Sequence, residues 1–100
     1  MMSDKELLEL AAKAAGVKAL WSPDGVLRDC TNGHPAQNIY SAPLWNPLTD
    51  DGDALRLAVK LDIDVAKVQI KFWDKHSTDP YAATRRAIVR AAAEIGKEKK

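Results

Sequence analysis

The chain has 100 residues, 46% of them hydrophobic and 29% charged, with a formal net charge of +1; this suits one domain with one core and excludes intrinsic disorder. No apolar run approaches the roughly 18–20 residues that span a bilayer, and the polar start Met1-Met2-Ser3-Asp4-Lys5-Glu6 does not read as a signal peptide. The lone Cys30 excludes an internal disulfide and fits a reducing cytosol, while near-neutrality gives no whole-chain pull towards nucleic acid or anionic lipid.

Ser3 and Glu6 form an S-x-x-E capping box that opens a first helix running to about Ala15. Leu7, Leu8, Ala11, Ala14 and Ala15 share its apolar face, and Gly16 is placed to end it. Val17 to Trp21 alternates, Ser22-Pro23-Asp24-Gly25 is a turn, and Val26 to Cys30 returns as the second strand of a hairpin. After a second turn at Asn32-Gly33, a short third strand is expected around Asn38 to Ser41. Ala42 to Leu48, with two prolines, is a loop.

Thr49 or Asp50 caps a second helix whose start is favoured by Asp50, Asp51 and Asp53. Only Asp53, Arg56 and Lys60 interrupt its apolar character, so this helix is expected to be the most buried of three. Ile63 and Val65 fall on one parity and Val68, Ile70 and Phe72 on the other, which predicts a strand broken by a bulge near Ala66-Lys67. Asp74 to Asp79 is polar loop. Asp79-Pro80 then starts a last helix that buries Ala87, Ile88, Ala91, Ala92 and Ile95 and stops at Gly96.

The expected fold is therefore α+β: a small, mainly antiparallel sheet of three to four strands with three helices, in the order α-β-β-(β)-α-β-α. Residues 1–96 make the single domain and residues 97–100 a basic disordered tail.

The block from Trp45 to Leu61 joins an aromatic entry, a proline loop, an acidic helix start and an apolar helix. It resembles the signature of small phage and prophage proteins of the "ABA sandwich" kind, a family without an established biochemical activity. The stretch Ala83-Thr84-Arg85-Arg86-Ala87-Ile88-Val89-Arg90-Ala91 follows at the matching distance, and the resemblance covers roughly Leu7 to Ile95 but not the Cys30–Ala42 segment. It implies a sheet with helices on both faces, an α/β/α sandwich, and a cytoplasmic setting, that of the host.

The polar clusters carry little chemistry. Asp50, Asp51 and Asp53 lack the spacing of a calcium loop and are accounted for by helix capping. Cys30 and His34 supply two soft ligands where structural zinc needs four, and His76 sits in another loop. The same pair lacks a third orienting group for nucleophilic catalysis, and no Gly-rich phosphate loop, G-x-S-x-G or H-E-x-x-H motif is present.

The leading expectation is thus a non-enzymatic accessory protein that needs no cofactor or metal and does not engage a membrane. It is expected to act by protein–protein interaction, through self-association or with a host factor. Tyr40 and Trp45 are the candidate interface, since Tyr and Trp are enriched at binding hot spots; the competing reading makes Trp45 a plug at the base of the second helix. The alternative is a weak nucleic-acid-binding protein using Arg85, Arg86 and Arg90 on the last helix, which lacks aromatics for base stacking. A third reading is a small enzyme built on Cys30 or His34.

Overall fold

A computed structural model describes residues 2–31, 36–72 and 78–99. The turn at Asn32-Gly33, both histidines (His34 and His76), Trp73 and most of the Asp74–Asp79 loop therefore lie outside the described residues.

Helix α1 spans Asp4–Ala15. Ser3 caps it: its Oγ accepts from the Glu6 amide at 3.2 Å and donates to Glu6 Oε1 at 3.2 Å. Gly16 ends it with a φ of 71°, left-handed geometry that costs glycine nothing. Strands β1 (Ala19–Trp21) and β2 (Leu27–Asp29) pair antiparallel, with Leu20 opposite Arg28. Gly25, at φ 82°, donates to the Ser22 carbonyl and closes the turn. Within that turn the Ser22 hydroxyl, with help from the Val26 amide and Arg28, holds the Asp24 carboxyl below its usual pKa.

From here the architecture departs from the sandwich. Among the described residues the sheet has two strands, with α2 (Asp51–Lys60), α3 (Val65–Phe72) and α4 (Pro80–Glu98) completing the fold. The expected third strand is a 3₁₀ helix, Ala36–Ser41. What lies along β2 instead is Pro43–Trp45: the Asp29 amide donates to the Pro43 carbonyl at 2.9 Å and the Trp45 amide to the Leu27 carbonyl at 3.0 Å. Pro43 has no amide to donate, so the pairing stays a single bridge.

The expected fourth strand is helix α3. Its β-branched residues favour a strand locally, but Asp64 caps it as a helix: its side chain accepts from Lys67 N and its carbonyl from Val68 N. Val65, Val68, Gln69 and Phe72 recur at helical spacing and turn inward, while Ile70 points out at 83% exposure. No bulge is needed once Val65 from one parity and Val68 and Phe72 from the other share a helix face. The chain enters α3 through a Schellman-type stop after α2. Asp62 takes φ 55° and donates to the Val59 carbonyl, and Ile63 N donates to the Ala58 carbonyl at 2.8 Å.

The most buried helix is α4, not α2, because it packs against α1, α2 and α3. Ala87, Val89, Ala92 and Ala93 are all fully buried, whereas Ile95 is half exposed. Helices α1 and α4 run side by side in the same direction. Asp4 Oδ1 meets Arg86 at 2.9 Å at one end, and Lys99 Nζ donates to the Ala14 carbonyl at 2.9 Å at the other. Gly96 does not stop α4, which continues through Lys97 and Glu98. It lies against the α1 backbone, where an added Cβ would stand 2.0 Å from the Leu10 carbonyl oxygen.

That contact sets the sign of a substitution. Alanine within a helix ordinarily gains up to about 1 kcal/mol over glycine. At Gly96 the clash is with backbone that cannot swing aside, so Gly96→Ala should instead destabilise by about 1–3 kcal/mol, the usual cost of overpacking. Gly52→Ala is the control, because its Cβ would meet side-chain atoms of Arg56 and Asp50 at 3.2–3.3 Å rather than backbone. It should cost less than Gly96→Ala in chemical denaturation.

Candidate functional site

Trp45 is a core residue. It is 7% exposed and packs in the cluster that contains Leu27 and Leu57, beside the fully buried Pro47. Its loop is fixed from both sides. Asn46 N donates to Asp53 Oδ2 at 3.0 Å, and Leu48 N donates to Asn46 Oδ1 at 3.0 Å. Tyr40 is 55% exposed, but the Arg28 guanidinium covers its ring at 5.4 Å. The two residues therefore do not share one exposed patch, and of the pair only Tyr40 is accessible.

In the acidic trio, Asp50 and Asp53 share Arg56, at 3.8 and 2.6 Å, while Asp51 points elsewhere. Asp50 Oδ2 accepts from Asp53 N at 2.7 Å as the helix cap. Asp51 pairs with Arg85 at 2.6 Å. Asp53 holds Asn46 N and, at 2.6 Å, Arg56. No group of three or more His, Cys, Asp or Glu residues among the described ones is arranged to hold a metal. Cys30 is buried with Ile39 and Ala42; its partner in the nucleophile reading, His34, is outside the described residues.

The three arginines are each engaged within the chain. Arg85 is largely buried. Its Nε donates to the Leu48 carbonyl at 2.9 Å while its other arm holds Asp51, so it ties α4 to the entry of α2. Arg86 pairs with Asp4, and Arg90 lies 5.1 Å over the Phe72 ring. Arg85 faces α2 and stands apart, whereas Arg86 and Arg90 border one groove beside α1, together with Lys97 and the acidic Glu6 and Glu94.

Sequence reasoning missed the outer face of α2. Leu55 is 61% and Val59 is 73% exposed, one helical turn apart, where the apolar pattern implied core. The cause is the position of α2: Ala54, Leu57 and Ala58 face the core, and no described element covers the opposite side. Leu55 borders a shallow cavity of about 360 Å³, floored by Ala54, Val65 and Ile88 and walled by Tyr81, itself 70% exposed. The Asp51–Arg85 pair stands at its edge. A contiguous apolar surface edged by a tyrosine and an ion pair has the make-up of a protein-binding patch. A second groove, between the hairpin and α2, is lined by Leu44, Asp53 and Arg56; there Asp53 and Arg56 are bonded to each other.

Comparison with protein-family models, curated proteins and solved structures found no match. No helix among the described residues is long and apolar enough to cross a membrane.

Proposed function

We propose that this chain is a non-enzymatic accessory protein of the phage or prophage kind that works by binding another protein, through the face built by α2 and the start of α4. The observation that carries the reading is the exposure of Leu55 and Tyr81 around one apolar cavity, with exposed Val59 one turn further along α2. Large apolar side chains left together in water lower the free energy when a partner covers them, by about 25 cal/mol per Å² of apolar surface removed. The phage origin rests on the Trp45–Leu61 and Ala83–Ala91 blocks. The interface is moved from Tyr40 and Trp45 to α2, because Trp45 is spent on the core.

Methyl-resolved NMR of the labelled protein in a bacterial cytosolic extract tests this reading. Binding should broaden Leu55 and Val59 selectively and leave the buried Leu57 and Val89 methyls sharp. Leu55→Glu should abolish the broadening. Loss of signal centred on Arg86 and Arg90, removed by nuclease treatment, would instead establish nucleic-acid binding.

A further inference from the structure

We infer that residues 36–42 are a strap that opens as a unit while the helices stay folded, with Arg28 as its latch and the Cys30 thiol as the group it covers. The inference concerns the hairpin and is independent of the binding face on α2.

The hairpin has two differently used faces. Side chains alternate along a strand, so Leu27 of β2 joins the main core with Trp45 and Leu57 while Arg28 turns the other way. Cys30 follows on the same parity as Arg28. The 3₁₀ helix Ala36–Ser41 and the adjoining Ala42 lie over this second face, where Cys30, Ile39 and Ala42 form a cluster separate from the main core. A cluster so small buries little apolar surface, and segments with few buried contacts open at a free energy well below that of global unfolding. The chain on either side is held independently of the strap. Before it, Cys30 N donates to the Lys18 carbonyl at 2.7 Å and Lys18 N to Thr31 Oγ1 at 3.1 Å. After it, the Pro43 carbonyl accepts from Asp29 N at 2.9 Å, and Trp45 is anchored in the main core. Lifting the strap therefore leaves the hairpin and the helices in place.

Arg28 is built to hold the strap and to release it. Its Nη1 donates to the Tyr40 and Ala42 carbonyls at 3.2 and 3.1 Å, and its guanidinium lies 5.4 Å from the centre of the Tyr40 ring. Its Nε donates to Ser22 Oγ at 3.3 Å and its Nη2 stands 3.5 Å from Asp24. These last two contacts belong to the hairpin and survive opening. Release therefore strands no unpaired charge, which would otherwise make opening costly.

Cys30 is the single cysteine of the chain and is 4% exposed, so its reaction with a thiol reagent reads opening directly. The test is labelling of the full chain with 5,5′-dithiobis(2-nitrobenzoate), followed against urea below the unfolding transition. Labelling should proceed without urea and rise only weakly with it, because the urea slope scales with the surface exposed. Ile39→Ala should speed the urea-free reaction by about tenfold or more. Arg28→Lys should speed it severalfold, since a lysine lacks the fork that reaches both carbonyls while holding Ser22. Leu57→Ala weakens the main core instead and should leave the rate within about twofold. A rate that climbs with the urea slope of global unfolding, or that rises about thirtyfold or more in Leu57→Ala, would overturn the strap, because Cys30 would then react only from the unfolded chain. A wild type that resists labelling without urea, or an unchanged rate in Ile39→Ala, would overturn it as well. An unchanged rate in Arg28→Lys would overturn the latch.

Discussion

Trp45→Ala should destabilise the protein by about 3–5 kcal/mol, the cost of removing a large aromatic from a packed core. The indole stands where three parts of the chain meet. Its own amide is pinned to the Leu27 carbonyl of β2, Leu57 of α2 contacts the same cluster, and the following Asn46-Pro47-Leu48 turn leads into the α2 cap. A void there cannot close easily, because Asn46 is tethered to Asp53 and Pro47 is itself fully buried. A domain of this size has a total stability of only about 5–15 kcal/mol, so the variant should sit near the edge of folding. Urea denaturation followed by a probe other than tryptophan fluorescence would measure the loss. An anchor on an exposed patch would leave the midpoint unchanged and reduce only association.

The parts of the fold legible in the sequence are those set by local chemistry. Ser3, Asp50 and the Asp79-Pro80 pair each cap a helix where their residue types place them, because satisfying free amides needs only neighbours in sequence. The hairpin follows in the same way from Ser22-Pro23-Asp24-Gly25. The segment from Ile63 to Phe72 was not legible, because two signals pointed away from helix. Val65, Val68 and Ile70 are β-branched, and the left-handed stop at Asp62 lacks the glycine that usually marks one. Packing against α4 overrides the local preference.

Gly96 was misread for a related reason. A glycine near the end of an apolar pattern matches a helix stop, but its role here is the close approach of α4 to α1, which only the tertiary structure reveals. The candidate site was hidden by the same limit. Leu55 and Val59 carry the same residue chemistry as Leu57, and only the arrangement of α1, α3 and α4 around α2 decides which of them meet water. Tyr40 and Trp45 have the residue types of a binding hot spot, yet Trp45 fills the core and Tyr40 lies under the Arg28 guanidinium.

Whether α2 buries one face and offers the other is therefore the claim on which the functional reading depends. Leu57 is 3% exposed and Leu55 61%, two positions apart on one helix. Leu57→Ala should cost about 2–5 kcal/mol, combining lost burial with a cavity between α2 and its neighbours. Leu55→Ala should stay within about 0.5 kcal/mol, since it removes no core contact and alanine is at least as good a helix former. Helix propensity is the same for both changes, so their difference reports burial alone. The most direct measurement is urea denaturation of the two variants side by side, at a concentration low enough to keep the protein monomeric. A loss at Leu57 several kcal/mol larger than at Leu55 is the result this structure requires. Equal losses would mean that the outer face of α2 is covered within the monomer, and that no docking surface exists there.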